Sequence, residues 1–515
     1  MAPNFPPIEE ALPLHHDLFY DGKWQTPITD SRRETLNPST GQVIGKIADA
    51  STTDVDKAVE AAHKAFLSWK KTTMAERQGY MRRAAAILRE HAAELALVES
   101  YNTGNPVAAM VIDAERAANA LDYFAGLIPM LRGEVLPGPF PTEDYLHYTV
   151  REPMGVVARF VASNHPFMFA GARMASVIAG GNTVIIKPPE QAPLSCLRLA
   201  ELLENVFPPG VVNILPGGAE CGQALTCHPL VRKVSLIGSV ATGKIIMRNA
   251  GSLMKQTSME LGGKNALIAF PDADIDHLVR SVAAGMNFTW AGQSCGSTSR
   301  VFLHDSIHDE VLARVVEVVR KGFRPGLATD PTTTMGSLIS KAAQDRVLNY
   351  IASAREEGAR LVTGGGMFDD LAGTPVEGGF FVQPTIFADV TPDMKIAREE
   401  IFGPVMSVLR WSDESELIRI VNSTNYGLTG SIFTKDLATA QRMIRQVEAG
   451  FVWVNDVCKH FLNVPYGGIK DSGIGRDECI DELFAYTNIK SVNINLGGAT
   501  HLGSRLSQAG QISNT

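Results

Sequence analysis

Between residues 151 and 270, short runs rich in valine and isoleucine alternate with stretches of helical periodicity, and that alternation leaves few architectures open. The runs VVARFV, TVIIK, VVNIL and VSLIG are apolar almost throughout rather than at every second position. Such strands are buried on both faces, which calls for a parallel sheet covered by helices on each side. The intervening helices are expected at 168–180, 193–206 and 240–250. A second α/β stretch runs from about 261 to 455, with strand-like VFL at 301–303, SVL at 407–409 and FVWVN at 451–455.

The flanks read differently. Residues 1–16 are proline-rich and suggest a loose arm, and the Gly/Ser/Gln-rich tail from 498 to 515 suggests another. Strand-like pieces at Phe19–Trp24 and Glu34–Leu36 precede an amphipathic helix with apolar face Val55, Val59, Ala62, Phe66 and Trp69. Asp54 reads as its N-cap. Alanine-rich helical patterns continue to about 130, broken at Asn102–Pro106, and residues 132–150 suggest a projecting β-ribbon.

At 515 residues the chain is long enough for two or three domains. A net charge of −8 gives no general attraction to nucleic acid or to anionic membranes. The six cysteines form no CxxC pair, which gives a metal site no support and fits a reducing, cytoplasmic setting. The N-terminus lacks the basic and apolar regions of a targeting signal, and no apolar run is long enough to span a bilayer.

Five segments carry chemistry. In VSLIGSVATGKIIM, a Gly/Ser turn could aim backbone N–H groups and a helix N-terminus at a pyrophosphate, Gly238 allowing close approach and Gly243 close packing. The spacing is not G-x-G-x-x-G, and an ordinary turn looks the same. In TVIIKPPE, Lys187 and Glu190 follow a strand where open α/β sheets bind ligands; a carboxylate there suits a ribose diol and repels a 2′-phosphate. In AGQSCG, small neighbours leave the Cys295 thiol accessible as a nucleophile. Glu260 in MELGGK supplies a carboxylate and Asn164 in ASNHPF an amide donor for an oxyanion. Together these are the components of acyl chemistry.

The ordered motifs FYDGKW, NPSTGQVIG, SNHPF, KPPEQAP, GSVATG, MELGGKNA, GQSCG, EEIFGPV and VPYGGIKDSGIGR resemble the aldehyde dehydrogenase superfamily over residues 17–495. The resemblance implies an α/β fold: a modified Rossmann cofactor domain (17–129 and 150–260), an α/β catalytic domain (261–455), and an oligomerisation ribbon and strand (130–149 and 486–497). It implies that Cys295 forms a thiohemiacetal and then a thioester, that Asn164 and the Cys295 N–H hold the oxyanion, and that Glu260 activates water. It further implies that Lys187 and Glu190 hold the adenosine ribose of NAD, with NADP disfavoured. Gly238 and Ser239 would lie near the pyrophosphate, with Glu400 and Phe402 on the nicotinamide ribose. The expected partners are a small aldehyde and further copies of the chain, as a homodimer or homotetramer. Phe167, Phe288, Trp290, Cys458 and Phe461 are candidate linings of the substrate pocket.

Three departures from the family pattern stand out: ASNHP replaces PWNFP, one extra residue falls near Thr289–Trp290, and Asp477 stands where Glu is common. Rival readings are a CoA-acylating semialdehyde dehydrogenase, a thiol esterase that needs no nicotinamide, and a non-catalytic binding protein on the same scaffold.

Overall fold

The computed structural model describes residues 5–138 and 145–496. The tail expected at 498–515, and the part of the ribbon at 139–144, lie outside these.

The apolar runs form the middle of an eight-stranded sheet. Its order is Gly473–Ile474, Gln256–Glu260, Val231–Ile237, Val156–Phe160, Thr183–Lys187, Val212–Ile214, Leu18–Tyr20, Lys23–Gln25. The second to sixth strands are parallel, while the first and the last two pair antiparallel. The expected all-parallel sheet is therefore mixed at both edges, because its edge strands come from outside 151–270. Alternate residues feed two cores. Val157, Val184, Ile186 and Ile214 pack with the helices between residues 74 and 203, and Val156, Ala158, Ile185 and Val234 pack under Val55, Val59 and Ile246.

A seven-stranded sheet follows, ordered Arg360–Thr363, Thr385–Ala388, Val405–Trp411, Arg300–His304, Ala266–Ala269, Thr429–Phe433, Phe451–Val454. It is parallel except for the first strand. All seven strands fall within the expected 261–455, but the chain beyond 455 returns to the first sheet through Gly473–Ile474 and helix Ile480–Phe484. Strand Thr487–Asn495 then pairs with Tyr145–Pro153, which pairs with Val135–Leu136, forming the ribbon.

Local chemistry moved several boundaries. The helix Thr52–Trp69 is capped by Ser51, not Asp54: Ser51 accepts from the Asp54 N–H while the Asp54 carboxylate accepts from the Ser51 N–H, a capping box. The loose arm expected at 1–16 is, over its described part, a packed segment. Its helix Ile8–Ala11 buries Ala11, and Phe5, Ile8 and Leu12 rest on the helical core. Helix Ile275–Gly285 is followed by a 3₁₀ turn, Phe288–Trp290, between left-handed Asn287 and Ala291. Thr289 and Trp290, near which the extra residue is expected, lie in that turn.

Candidate active site

Four neighbouring strands of the first sheet end at Phe160, Lys187, Ile237 and Glu260, and all four residues line one crevice of about 570 Å³. It is of a size that encloses a small ligand and lies at the carboxyl ends where open α/β sheets bind them. Cys295, Arg346, Glu400, Ile401, Phe402 and Tyr426 line it too. The crevice thus brings together Asn164, Glu260 and Cys295 with Lys187, Glu190, Gly238, Ser239, Glu400 and Phe402.

Cys295 is partly exposed, on a loop pinned from behind by Asn265, whose Nδ2 donates to the carbonyls of Cys295 (2.7 Å) and Ser297 (2.9 Å). Burial, then the charges of Glu400 and Glu260, push its thiol up to about 12, and the Tyr466 hydroxyl at 4.0 Å pulls the other way. The resting sulfur is therefore a protonated thiol that needs help to ionise.

Glu260 ends its strand in a buried position, with Oε2 lacking a partner among the described residues. Burial and the charge of Asp477 push its carboxyl well above the usual range, with Arg173 opposing. Arg173 is itself buried among Asp477 (3.3 Å), Glu478 (3.0 Å) and Glu482 (3.5 Å). A carboxylate uncommitted on one oxygen and disfavoured in its charged form is suited to taking a proton from water.

Asn164 precedes helix Pro166–Ala179, and its carbonyl accepts from Asn105 Nδ2 at 2.7 Å. Its Oδ1 is buried without a partner among the described residues. The sequence departure at His165 now has a physical account. Its Nδ1 lies 2.6 Å from fully buried Asp113, and its ring meets Trp290 edge-on at 4.6 Å between centroids. The histidine gives a buried carboxylate a second, closer partner beside Arg116, which an aromatic hydrocarbon could not do.

Helix Val240–Gly251 points its N-terminus at the crevice, capped by Ser239 and free of acidic residues in its first turn. A Cβ on Gly243 would press on Leu261, so this glycine serves packing. Lys187 Nζ is buried with a single carbonyl contact, Pro188 at 3.5 Å, and burial lowers its ammonium pKa. Glu190 Oε2 is held by Arg33 at 2.8 Å, and Arg33 also grips Asp49 at 2.8 Å. Glu400 accepts the Gly263 N–H at 3.1 Å and is pushed by burial up to about 7. These residues fit a dinucleotide: donors at the pyrophosphate end and a carboxylate near each expected ribose.

The expected substrate linings divide. Phe167 and Phe288 are fully buried, Phe167 in the helical core and Phe288 against Phe323 at 5.3 Å, so neither offers a surface to a substrate. Trp290 and Cys458 are partly exposed and Phe461 is half exposed. Asn265, Tyr466, Arg33 and Arg173 were not found by sequence reasoning. Asn265 and Tyr466 do lie inside the quoted motifs NA and PYGG, which was the available signal.

Among the described residues no group of three or more His, Cys, Asp or Glu could hold a metal ion, and no helix is long and apolar enough to cross a membrane. All six cysteines are free.

A family model described as "Aldehyde dehydrogenase family" matches residues 24–492. Among solved structures, PnpE from Pseudomonas sp. WBC-3 is 38% identical with a TM-score of 0.90, the match covering 94% of this chain and 98% of that one. A variant of an aldehyde dehydrogenase from Bacillus cereus is 36% identical with a TM-score of 0.91, covering 96% and 99%. A betaine aldehyde dehydrogenase from Staphylococcus aureus in complex with NAD+ is 34% identical with a TM-score of 0.91, covering 94% and 96%.

Proposed function

The chain belongs to the aldehyde dehydrogenase family, and from that premise we propose that it oxidises an aldehyde to a carboxylic acid with NAD, through a thioester on Cys295. The observation that carries this reading is the single crevice lined by a thiol, a buried carboxylate and an amide beside the dinucleotide-fitting end.

Cys295, once ionised, attacks the aldehyde carbon, and the carbonyl π electrons move onto oxygen. Asn164 and the Cys295 N–H donate to that oxyanion. When bound, NAD, which Lys187, Glu190, Glu400 and Phe402 would hold, would supply the acceptor for the hydride that leaves the sulfur-bound carbon. Glu260 then takes a proton from water as its oxygen adds to the thioester, and the sulfur departs as thiolate. Glu190 favours NAD over NADP because a carboxylate repels a 2′-phosphate, although its pairing with Arg33 tempers that repulsion.

The CoA-acylating alternative would leave Glu260 without a task, and its buried place in the crevice favours hydrolysis. The Staphylococcus aureus relative is a betaine aldehyde dehydrogenase, so cationic aldehydes belong in the substrate panel.

The test is aldehyde-dependent NADH formation across aliphatic, aromatic and cationic aldehydes, with NADP run in parallel. Cys295→Ala should abolish it. Glu260→Gln should keep one hydride burst but slow turnover on the order of 10²-fold. Undiminished oxidation by Cys295→Ala would overturn the reading, and loss of the burst in Glu260→Gln would remove that residue from the water step.

A further inference from the structure

The Cys295 sulfur has one side-chain hydrogen-bond partner among the described residues, the Tyr466 hydroxyl at 4.0 Å. That separation is at the outer reach of a bond to sulfur, and catalytic contacts often shorten when a ligand binds. Tyr466 is not among the residues lining the crevice. Its backbone is fixed by paired bonds to Asp477, N–H to carbonyl at 3.0 Å and carbonyl to N–H at 2.8 Å. Its ring is held by His460 and Phe451, with centroids at 4.2 and 5.4 Å.

The side chain is 4% exposed, and a buried phenol costs more than a phenyl ring unless its hydroxyl is used. The ring alone would satisfy the packing. Burial, then the charges of Cys295, Glu260 and Glu478, hold the phenol well above its ordinary pKa, so it stays a neutral O–H donor. Against it stand Glu400 and Glu260, both of which oppose a negative sulfur.

We propose that Tyr466 is a further catalytic residue whose phenolic O–H donates to the Cys295 sulfur and stabilises it as the thiolate. The role rests on Cys295 being the nucleophile. The hydroxyl keeps its proton throughout and lends only a hydrogen bond, released when the sulfur becomes neutral on bonding to carbon.

The test is the rate of iodoacetamide alkylation against pH on the full-length protein, with the adduct located at Cys295 by peptide mass spectrometry. Tyr466→Phe keeps the ring and should move the profile upward by about one pH unit, the size of one hydrogen bond to a charged acceptor. At a fixed pH below the midpoint the alkylation rate and the NADH burst rate should both fall about tenfold. Fluorotyrosine at 466, a more acidic donor of nearly the same shape, should shift the profile the other way. A purely structural role would not give opposite shifts. Superimposable profiles for the wild type and both variants would overturn the proposal while leaving Cys295 as nucleophile. Absence of any Cys295 adduct in the wild type would overturn the nucleophile reading and this role with it.

Discussion

Asp477 and Arg173 act on the Glu260 carboxyl with opposite sign, and which charge is removed fixes the direction of the pH response. Burial and Asp477 raise the pKa of Glu260, and Arg173 lowers it. Glu260 must be ionised to accept a proton from water, so acid release should rise with pH, along a limb above the ordinary carboxylate range. Asp477→Asn removes the repelling charge with little change of shape and leaves Arg173 its bonds to Glu478 and Glu482. The limb for steady-state turnover should then move down by about one pH unit, while the burst amplitude stays. An unmoved limb would mean that Asp477 does not act on the step. Glu260 and Asn164 were legible because each ends or follows a recognisable strand, and Cys295 because it stands among small residues in a loop. Their tuning partners were not. Arg33 is 157 positions from Glu190, and Tyr466 is 171 from Cys295, separations across which a sequence carries no local signal.

At the scale of elements, hydrophobic period predicted four of the five parallel strands of the first sheet, since runs buried on both faces cannot sit elsewhere, but only three of the seven strands of the second. It also missed ends and edges. Capping by Ser51 and the left-handed turn at Asn287 are single-residue events that no periodicity reports, and the antiparallel edges join segments remote in sequence. The loop after strand Gln256–Glu260 shows how closely such elements meet. A Cβ at Gly262 would collide with the Glu400 carboxylate, the same group that accepts the Gly263 N–H. Gly262→Ala should therefore leave the sheet standing but evict Glu400 from that bond. The KM for NAD should rise about tenfold, the worth of one bond to a charged group. The rate of iodoacetamide capture at Cys295 should change far less. An unchanged KM would show that Glu400 does not hold the cofactor.

For the whole molecule, the ribbon poses a problem one chain leaves open. Thr487–Asn495 is an edge strand, paired on one side with Tyr145–Pro153. Register sets Val135, Tyr148 and Val492 in one row across the ribbon, and Leu146 opposite Ile494 in the next. Val135, Leu146 and Ile494 on this face are 75%, 37% and 38% exposed. An apolar face beside a strand that, among the described residues, pairs on one side only invites pairing with another chain, and a second copy is the occupant the expected dimer or tetramer supplies. Replacing Leu146 by Lys and Ile494 by Glu makes the face polar while keeping an attractive pair across the two strands, so the ribbon itself should survive. Sedimentation velocity should then show the wild type as an oligomer and the double variant as a smaller species, with Cys295 still open to alkylation. A wild type that sediments as a single chain, or a double variant that assembles like it, would mean that this face is covered in another way.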